Sequence, residues 1–95
     1  MTRTVYLNGE YFLENEAKIS IFDRGFLMAD AVYEVTSVLD GKLIDFKGHA
    51  GRLERSLDEL DMKNPIAYEE LLEVHRELVC VNNIKEGLVY LQISR

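Results

Sequence analysis

Asp30-Ala31-Val32-Tyr33-Glu34-Val35-Thr36-Ser37-Val38-Leu39-Asp40-Gly41-Lys42 is the stretch that decides the reading of this chain. Val32, Val35, Thr36 and Val38 are β-branched and favour a strand over Ala31–Leu39. Asp40-Gly41 is a hairpin-turn signal, so Lys42 to Phe46 is expected to return as the paired strand. Side chains alternate along a strand, which puts Tyr33, Val35 and Ser37 on one face.

Toward the N-terminus, Thr4–Leu7 and Tyr11–Leu13 read as strands joined by a type I′ turn at Asn8-Gly9. Ala17 to Ile21 reads as a further short strand, with Ile19 and Ile21 on one face. Asp23-Arg24-Gly25 reads as a turn in which Gly25 supplies a backbone conformation that other residues resist. Toward the C-terminus the period becomes helical from Gly48. Leu53, Leu57 and Leu60 form a stripe, with Arg52, Arg55 and Glu59 on a flank. Asn64-Pro65 stops that helix. Tyr68 to Val81 is a second helix, with Leu71, Leu72, Leu78 and Val79 facing inward and Asn82-Asn83 at its end. Gly87 to Ser94 closes as a strand, with Val89, Leu91 and Ile93 alternating against Tyr90, Gln92 and Ser94. The expected class is α+β: an antiparallel sheet with two helices, its strand order open.

The chain has 95 residues, 47% hydrophobic and 29% charged, which fits one small globular domain with a thin core. A net charge of −6 argues against a nucleic-acid partner, which needs a basic stripe. No apolar run approaches the ~20 residues of a membrane span. A strand follows Met1-Thr2-Arg3 directly, so no secretory leader is expected, and the single cysteine, Cys80, has no partner for a disulfide. Together these point to a soluble, cytoplasmic protein without a membrane partner. The sequence stops at Arg95 straight after a strand. That reads as a truncation or one part of a longer chain, the alternative being a small protein whose last strand sits at its terminus.

The residues alone show no familiar catalytic constellation. His49 and His75 are single, and no spacing suits a metal. No Gly-x-Gly-x-x-Gly or phosphate-loop pattern occurs. Cys80, flanked by Leu78, Val79 and Val81, reads as buried and inert. Three features carry two readings each. Tyr33, Val35 and Ser37 form either a small-molecule wall or, as the pattern alone favours, core residues and a strand end. Arg52, three residues after His49 in the first turns of a helix, suits a phosphate. Unaided, it reads better as a solvated base paired with Asp58 or Glu59. Asp23-Arg24-Gly25 reads better as a structural turn with a local ion pair than as a site.

Taken in order, Asn8-Gly9-Glu10, Ile21-Phe22-Asp23-Arg24-Gly25-Phe26, Asp30 to Val35, Asp40-Gly41-Lys42, His49-Ala50-Gly51-Arg52-Leu53 and Leu91-Gln92-Ile93-Ser94-Arg95 resemble one family across nearly the whole chain. That family is the fold-type IV pyridoxal-phosphate enzymes, and the match is to the small N-terminal domain of its D-amino acid aminotransferases. The resemblance implies the cofactor pyridoxal 5′-phosphate, with Arg52 on its phosphate and His49 nearby. It implies Tyr33 on the substrate carboxylate, Val35 and Ser37 as pocket lining, and a structural role for Asp23-Arg24-Gly25. The substrates implied are a D-amino acid and a 2-oxo acid, in a homodimer. None of Lys18, Lys42, Lys47, Lys63 or Lys85 matches the Schiff-base lysine, which is expected beyond Arg95 together with the arginine and histidine that complete the carboxylate site. No catalytic residue is therefore assigned to residues 1–95, and the chain alone is expected to be inactive. The Tyr-Glu-Val run favours the D-amino acid enzymes. Ala31 departs from a common glycine, and Ser37 departs from a longer basic side chain, which leaves the substrate range open. Aminodeoxychorismate lyase, branched-chain aminotransferase and a non-catalytic truncated module stand as alternatives.

Overall fold

In a computed structural model, residues 2–95 are described. The elements run β1 (Thr4–Leu7), β2 (Glu10–Leu13), α1 (Arg24–Met28), β3 (Ala31–Leu39), β4 (Lys42–Leu43), α2 (Phe46–Glu59), α3 (Tyr68–Val81) and β5 (Glu86–Ser94). The α+β class is as expected, in two small sheets: the β1-β2 hairpin and a three-stranded antiparallel sheet in the order β4-β3-β5. The β3–β5 ladder runs the length of both strands, from Ala31 opposite Ser94 to Leu39 opposite Glu86. β4 pairs only with Val38 and Leu39, so among the described residues the rest of that edge of β3 has no strand beside it.

Alternation along β3 is strict, and it decides where the core lies. Val32, Glu34, Thr36 and Val38 are buried, while Tyr33, Ser37 and Leu39 are exposed. The buried side meets α2 and α3 through Val32, Phe46, Leu53, Leu57, Met62 and Leu71, and through Val38, Val79 and Val89. Both long helices end alike. Asp61 and Asn83 take left-handed backbone, and Met62 N–H and Ile84 N–H reach back to the Leu57 and Val79 carbonyls at 2.9 and 3.0 Å. The β1-β2 hairpin is tied to α3 by Asn82. Its side-chain amide exchanges hydrogen bonds of 2.8 and 2.9 Å with the Thr4 backbone, as a neighbouring strand would.

Four sequence expectations change here. Ala17 to Ile21 forms no strand: Ser20 instead turns the chain, its hydroxyl accepting from Phe22 N–H, and Ile19 and Ile21 stay exposed. Asp23-Arg24-Gly25 opens a third, short helix rather than a simple turn, because the Asp23 carboxylate caps it by accepting from the Gly25 and Phe26 N–H groups. Gly25 has no unusual backbone angle. It is small because β5 passes close by: an added Cβ would lie 2.7 Å from Gln92 Nε2 and 2.9 Å from Ser94 Cβ. Finally, Lys42 to Phe46 is a strand only over Lys42–Leu43. Asp45 takes left-handed backbone and starts α2 at Phe46, before Gly48. At the other end of α2, Leu60 falls at the helix cap and is 39% exposed, outside the stripe of Leu53 and Leu57.

Candidate functional site

Glu34 is the chemically unusual residue of β3. It occupies a core-facing position and is only 3% exposed. A buried carboxylate costs heavily unless it is paired and hydrogen-bonded. Two residues of α2 supply the partners. Arg52 donates from Nε to Oε2 at 2.7 Å and from Nη2 to Oε1 at 2.9 Å, and His49 Nδ1 lies 2.7 Å from Oε1. The spacing of His49 and Arg52 places both on one side of the helix, over the strand. The Arg52 hydrogen bonds hold the Glu34 carboxyl below its usual range against the opposing effect of burial, with His49 acting in the same direction. Glu34 in turn pushes the Arg52 guanidinium up.

Arg52 and His49 are thus brought together on the Glu34 carboxylate. Pairing of Arg52 with Asp58 or Glu59 does not occur, because Glu34 lies across the helix–sheet interface and fits the guanidinium side-on. Since α2 begins at Phe46, Arg52 also sits in the second turn. The helix dipole is felt mainly in the first turn, so any anion here depends on the side chains. The Arg52 side chain is 61% exposed. A guanidinium has five N–H donors, and two are spent on Glu34, which leaves its outer edge free. This donor set suits a phosphate.

Tyr33, Val35 and Ser37 lie together on the opposite face of β3. They are not core residues: Tyr33 is 63% exposed, and Val35 is half-buried. Their neighbours come from β5. Tyr90 stacks on Tyr33, and the Tyr90 hydroxyl donates to Gln92 Oε1 at 2.9 Å.

Glu34 and Tyr90 were missed as site residues. Glu34 gave a signal, a carboxylate in a β-branched run whose alternation points it inward. Tyr90 gave only its place on the outer face of the last strand.

One further expectation changes. Cys80 is exposed, not buried, because α3 turns Val79 inward and Cys80 outward. His75 is buried at 2% exposure, with Nδ1 2.9 Å from the Leu71 carbonyl and its ring edge-on to Phe46. Its Nε2 has no hydrogen-bond partner among the described residues. Asp30 accepts from Arg24 Nε at 2.9 Å and Arg95 Nε at 3.0 Å, while Ser94 Oγ donates to Asp23 at 2.8 Å. This cluster ties α1 to the ends of β3 and β5 and agrees with a structural role for Asp23-Arg24-Gly25.

Residues 31–95 match the family model for amino-transferase class IV. The chain is 43% identical over 91 residues to a D-alanine aminotransferase of Staphylococcus haemolyticus, covering 96% of this chain and 32% of that protein. It is 40% identical over the same length to a D-alanine aminotransferase of Staphylococcus aureus (strain MSSA476), with the same two coverages. The fold matches the crystal structure of a T.th. branched-chain amino acid aminotransferase with pyridoxamine 5′-phosphate. There the TM-score is 0.88 at 24% identity, over 97% of this chain and 32% of the other. The chain therefore spans about a third of the length of these relatives.

Proposed function

The chain belongs to the class IV aminotransferases, and from that premise we propose that it supplies the phosphate grip and one substrate wall of a pyridoxal 5′-phosphate-dependent transaminase acting between a D-amino acid and a 2-oxo acid. The observation that carries this reading is the Arg52 guanidinium, held side-on by a buried carboxylate with its outer edge free. The identity of 40–43% to D-alanine aminotransferases supports the D-amino acid as substrate.

In this reading residues 1–95 are the small N-terminal domain. Arg52 binds the cofactor phosphate through its free donors, and His49 stands beside it. The cofactor, when bound, supplies the electron sink that allows a proton to leave Cα of the amino acid. The Tyr33 hydroxyl donates to the substrate carboxylate, while Val35 and Ser37 line the side-chain space. Tyr33 is oriented by its stack on Tyr90. The residue that moves the proton is not assigned within this chain. Lys18, Lys42, Lys47, Lys63 and Lys85 are all exposed, whereas a carbonyl-binding lysine is activated by desolvation or a neighbouring cation.

The protein works as a cytoplasmic homodimer in this reading. Phe22, Phe26, Leu27 and Met28 lie exposed around α1, which suits a subunit contact. A net charge of −6, and no helix among the described residues long and apolar enough to cross a membrane, fit partners that are small molecules.

The test is amino-group transfer by the intact protein with 2-oxoglutarate as acceptor. Pyruvate formed from D-alanine, with L-leucine a poor donor, supports the reading. Preferred turnover of L-leucine moves the protein to the branched-chain enzymes. Pyruvate released from aminodeoxychorismate, without an acceptor, moves it to the lyases.

A further inference from the structure

We propose that Glu34 is the positioning residue of the phosphate grip: it fixes Arg52 and His49 in the orientation that a phosphate ester requires. The inference rests on the assignment of Arg52 to the cofactor phosphate and extends it to a residue that touches no ligand.

Glu34 stands between Val32 and Thr36 on the face of β3 that packs against α2. An apolar side chain would serve packing better there, since a buried acid needs partners to offset its desolvation. Its carboxylate has two partners and three short contacts, all to residues of one helix. Arginine is otherwise a long, rotamer-rich side chain, and an exposed one loses entropy to hold any ligand. Side-on bonding through Nε and Nη2 removes that freedom and leaves the outer edge as the donor surface. The same carboxylate fixes the His49 ring through Nδ1, so Nε2 is the nitrogen left for a ligand.

Charge alone predicts the opposite sign. Glu34 is an anion next to an anion site, so as a bystander it weakens phosphate binding, and neutralising it would tighten the site. If Glu34 positions Arg52, neutralising or shortening it weakens binding although a negative charge has been removed or moved away.

The experiment measures dissociation constants of pyridoxal 5′-phosphate and of pyridoxal, which lacks the phosphate, for the intact protein. The variants are Glu34→Gln, Glu34→Asp, Arg52→Ala and the Glu34→Gln/Arg52→Ala pair, with melting temperatures alongside. Positioning predicts that both Glu34 variants weaken pyridoxal 5′-phosphate roughly ten-fold, the scale on which partners of ligand-holding residues act. Pyridoxal affinity stays unchanged, and Glu34→Gln adds little once Arg52 is gone. Glu34→Asp keeps the charge and separates reach from electrostatics if Glu34→Gln folds poorly. Unchanged or tighter pyridoxal 5′-phosphate binding in the Glu34 variants overturns the proposal, and so does an equal loss for both ligands. If Arg52→Ala itself leaves pyridoxal 5′-phosphate affinity intact, the assignment of Arg52 falls first and the role of Glu34 falls with it.

Discussion

Tyr33 and Tyr90 stack across the β3–β5 ladder, with ring centroids 5.7 Å apart and planes inclined by 16°. The two are diagonal neighbours, because Tyr33 pairs with Gln92 and Tyr90 with Val35. Removing the Tyr33 hydroxyl leaves this stack in place and, on the role proposed for Tyr33, takes away one hydrogen bond to the substrate carboxylate. Tyr33→Phe is expected to raise KM for D-alanine by about ten-fold or more, since hydrogen bonds to charged groups contribute ~1.5–3 kcal/mol. Affinity for pyridoxal 5′-phosphate should not change. Steady-state kinetics and a cofactor titration check this. An unaltered KM would remove Tyr33 from the substrate carboxylate.

The core should be sensitive at Leu57, which is 0% exposed and lies in one cluster with Leu53 and Val32. Leu57→Ala removes buried methyl groups and leaves a cavity that a thin core collapses only in part. A loss of about 2–5 kcal/mol is expected, read from denaturant unfolding. Leu60→Ala, at the exposed helix cap, serves as the control and should cost far less.

Gly25 tests the packing of α1 on β5. A methyl group there would sit against Ser94 Cβ, which is fixed to the strand backbone, as well as against Gln92. Gly25→Ala is expected to destabilise by ~1–3 kcal/mol, the usual scale for overpacking. Had a left-handed turn been the reason for glycine, Gly25→Asn would be tolerated better than Gly25→Ala. Here the larger side chain should be worse, as thermal unfolding of the two variants will show.

His75 makes stability depend on pH in a defined direction. Burial, the larger cause, pushes its pKa below the ordinary value of about 6.5. The folded state therefore binds fewer protons than the unfolded state in that window. Stability from this group is fully present above pH ~6.5 and is lost as pH falls toward the folded value. Glu34, Asp23 and Asp30 have lowered carboxylate values and add a second loss at more acidic pH. His75→Leu should abolish the first limb of an unfolding-against-pH curve and keep the second. A variant with both limbs intact would place the first limb on another group.

The strand pattern of β3 and β5 was legible in the sequence because both strands turn one face to the apolar core and the other largely away from it, which writes a clean period of two. α3 was legible to the residue, and α2 was displaced at its start. Its entry depends on left-handed backbone at Asp45, a single-residue feature that apolar periodicity does not register. The segment Ala17 to Ile21 misled because its alternation matches a strand, yet it pairs with neither sheet and its Ile19 and Ile21 stay exposed. α1 was hidden for a related reason. It buries no residue and is held by Asp23, Asp30, Ser94 and Arg95, contacts that span most of the chain.

At the candidate site, Arg52 and His49 were singled out through the order of motifs rather than through any local pattern. The partner that gives them their geometry, Glu34, is 18 residues from Arg52 and became apparent only when strand and helix were packed together. Cys80 was misread because apolar neighbours along a helix do not imply a shared face. Positions one residue apart point about 100° away from each other.

The measurement that tests the central claim most directly is reductive trapping of the cofactor on the intact protein. The protein is incubated with limiting pyridoxal 5′-phosphate, reduced with borohydride and weighed, beside the Arg52→Ala variant. One cofactor adduct per subunit is predicted for the parent protein, and much less for Arg52→Ala at the same cofactor concentration. No specific adduct on the parent protein, or equal trapping by the two, would contradict the role assigned to Arg52.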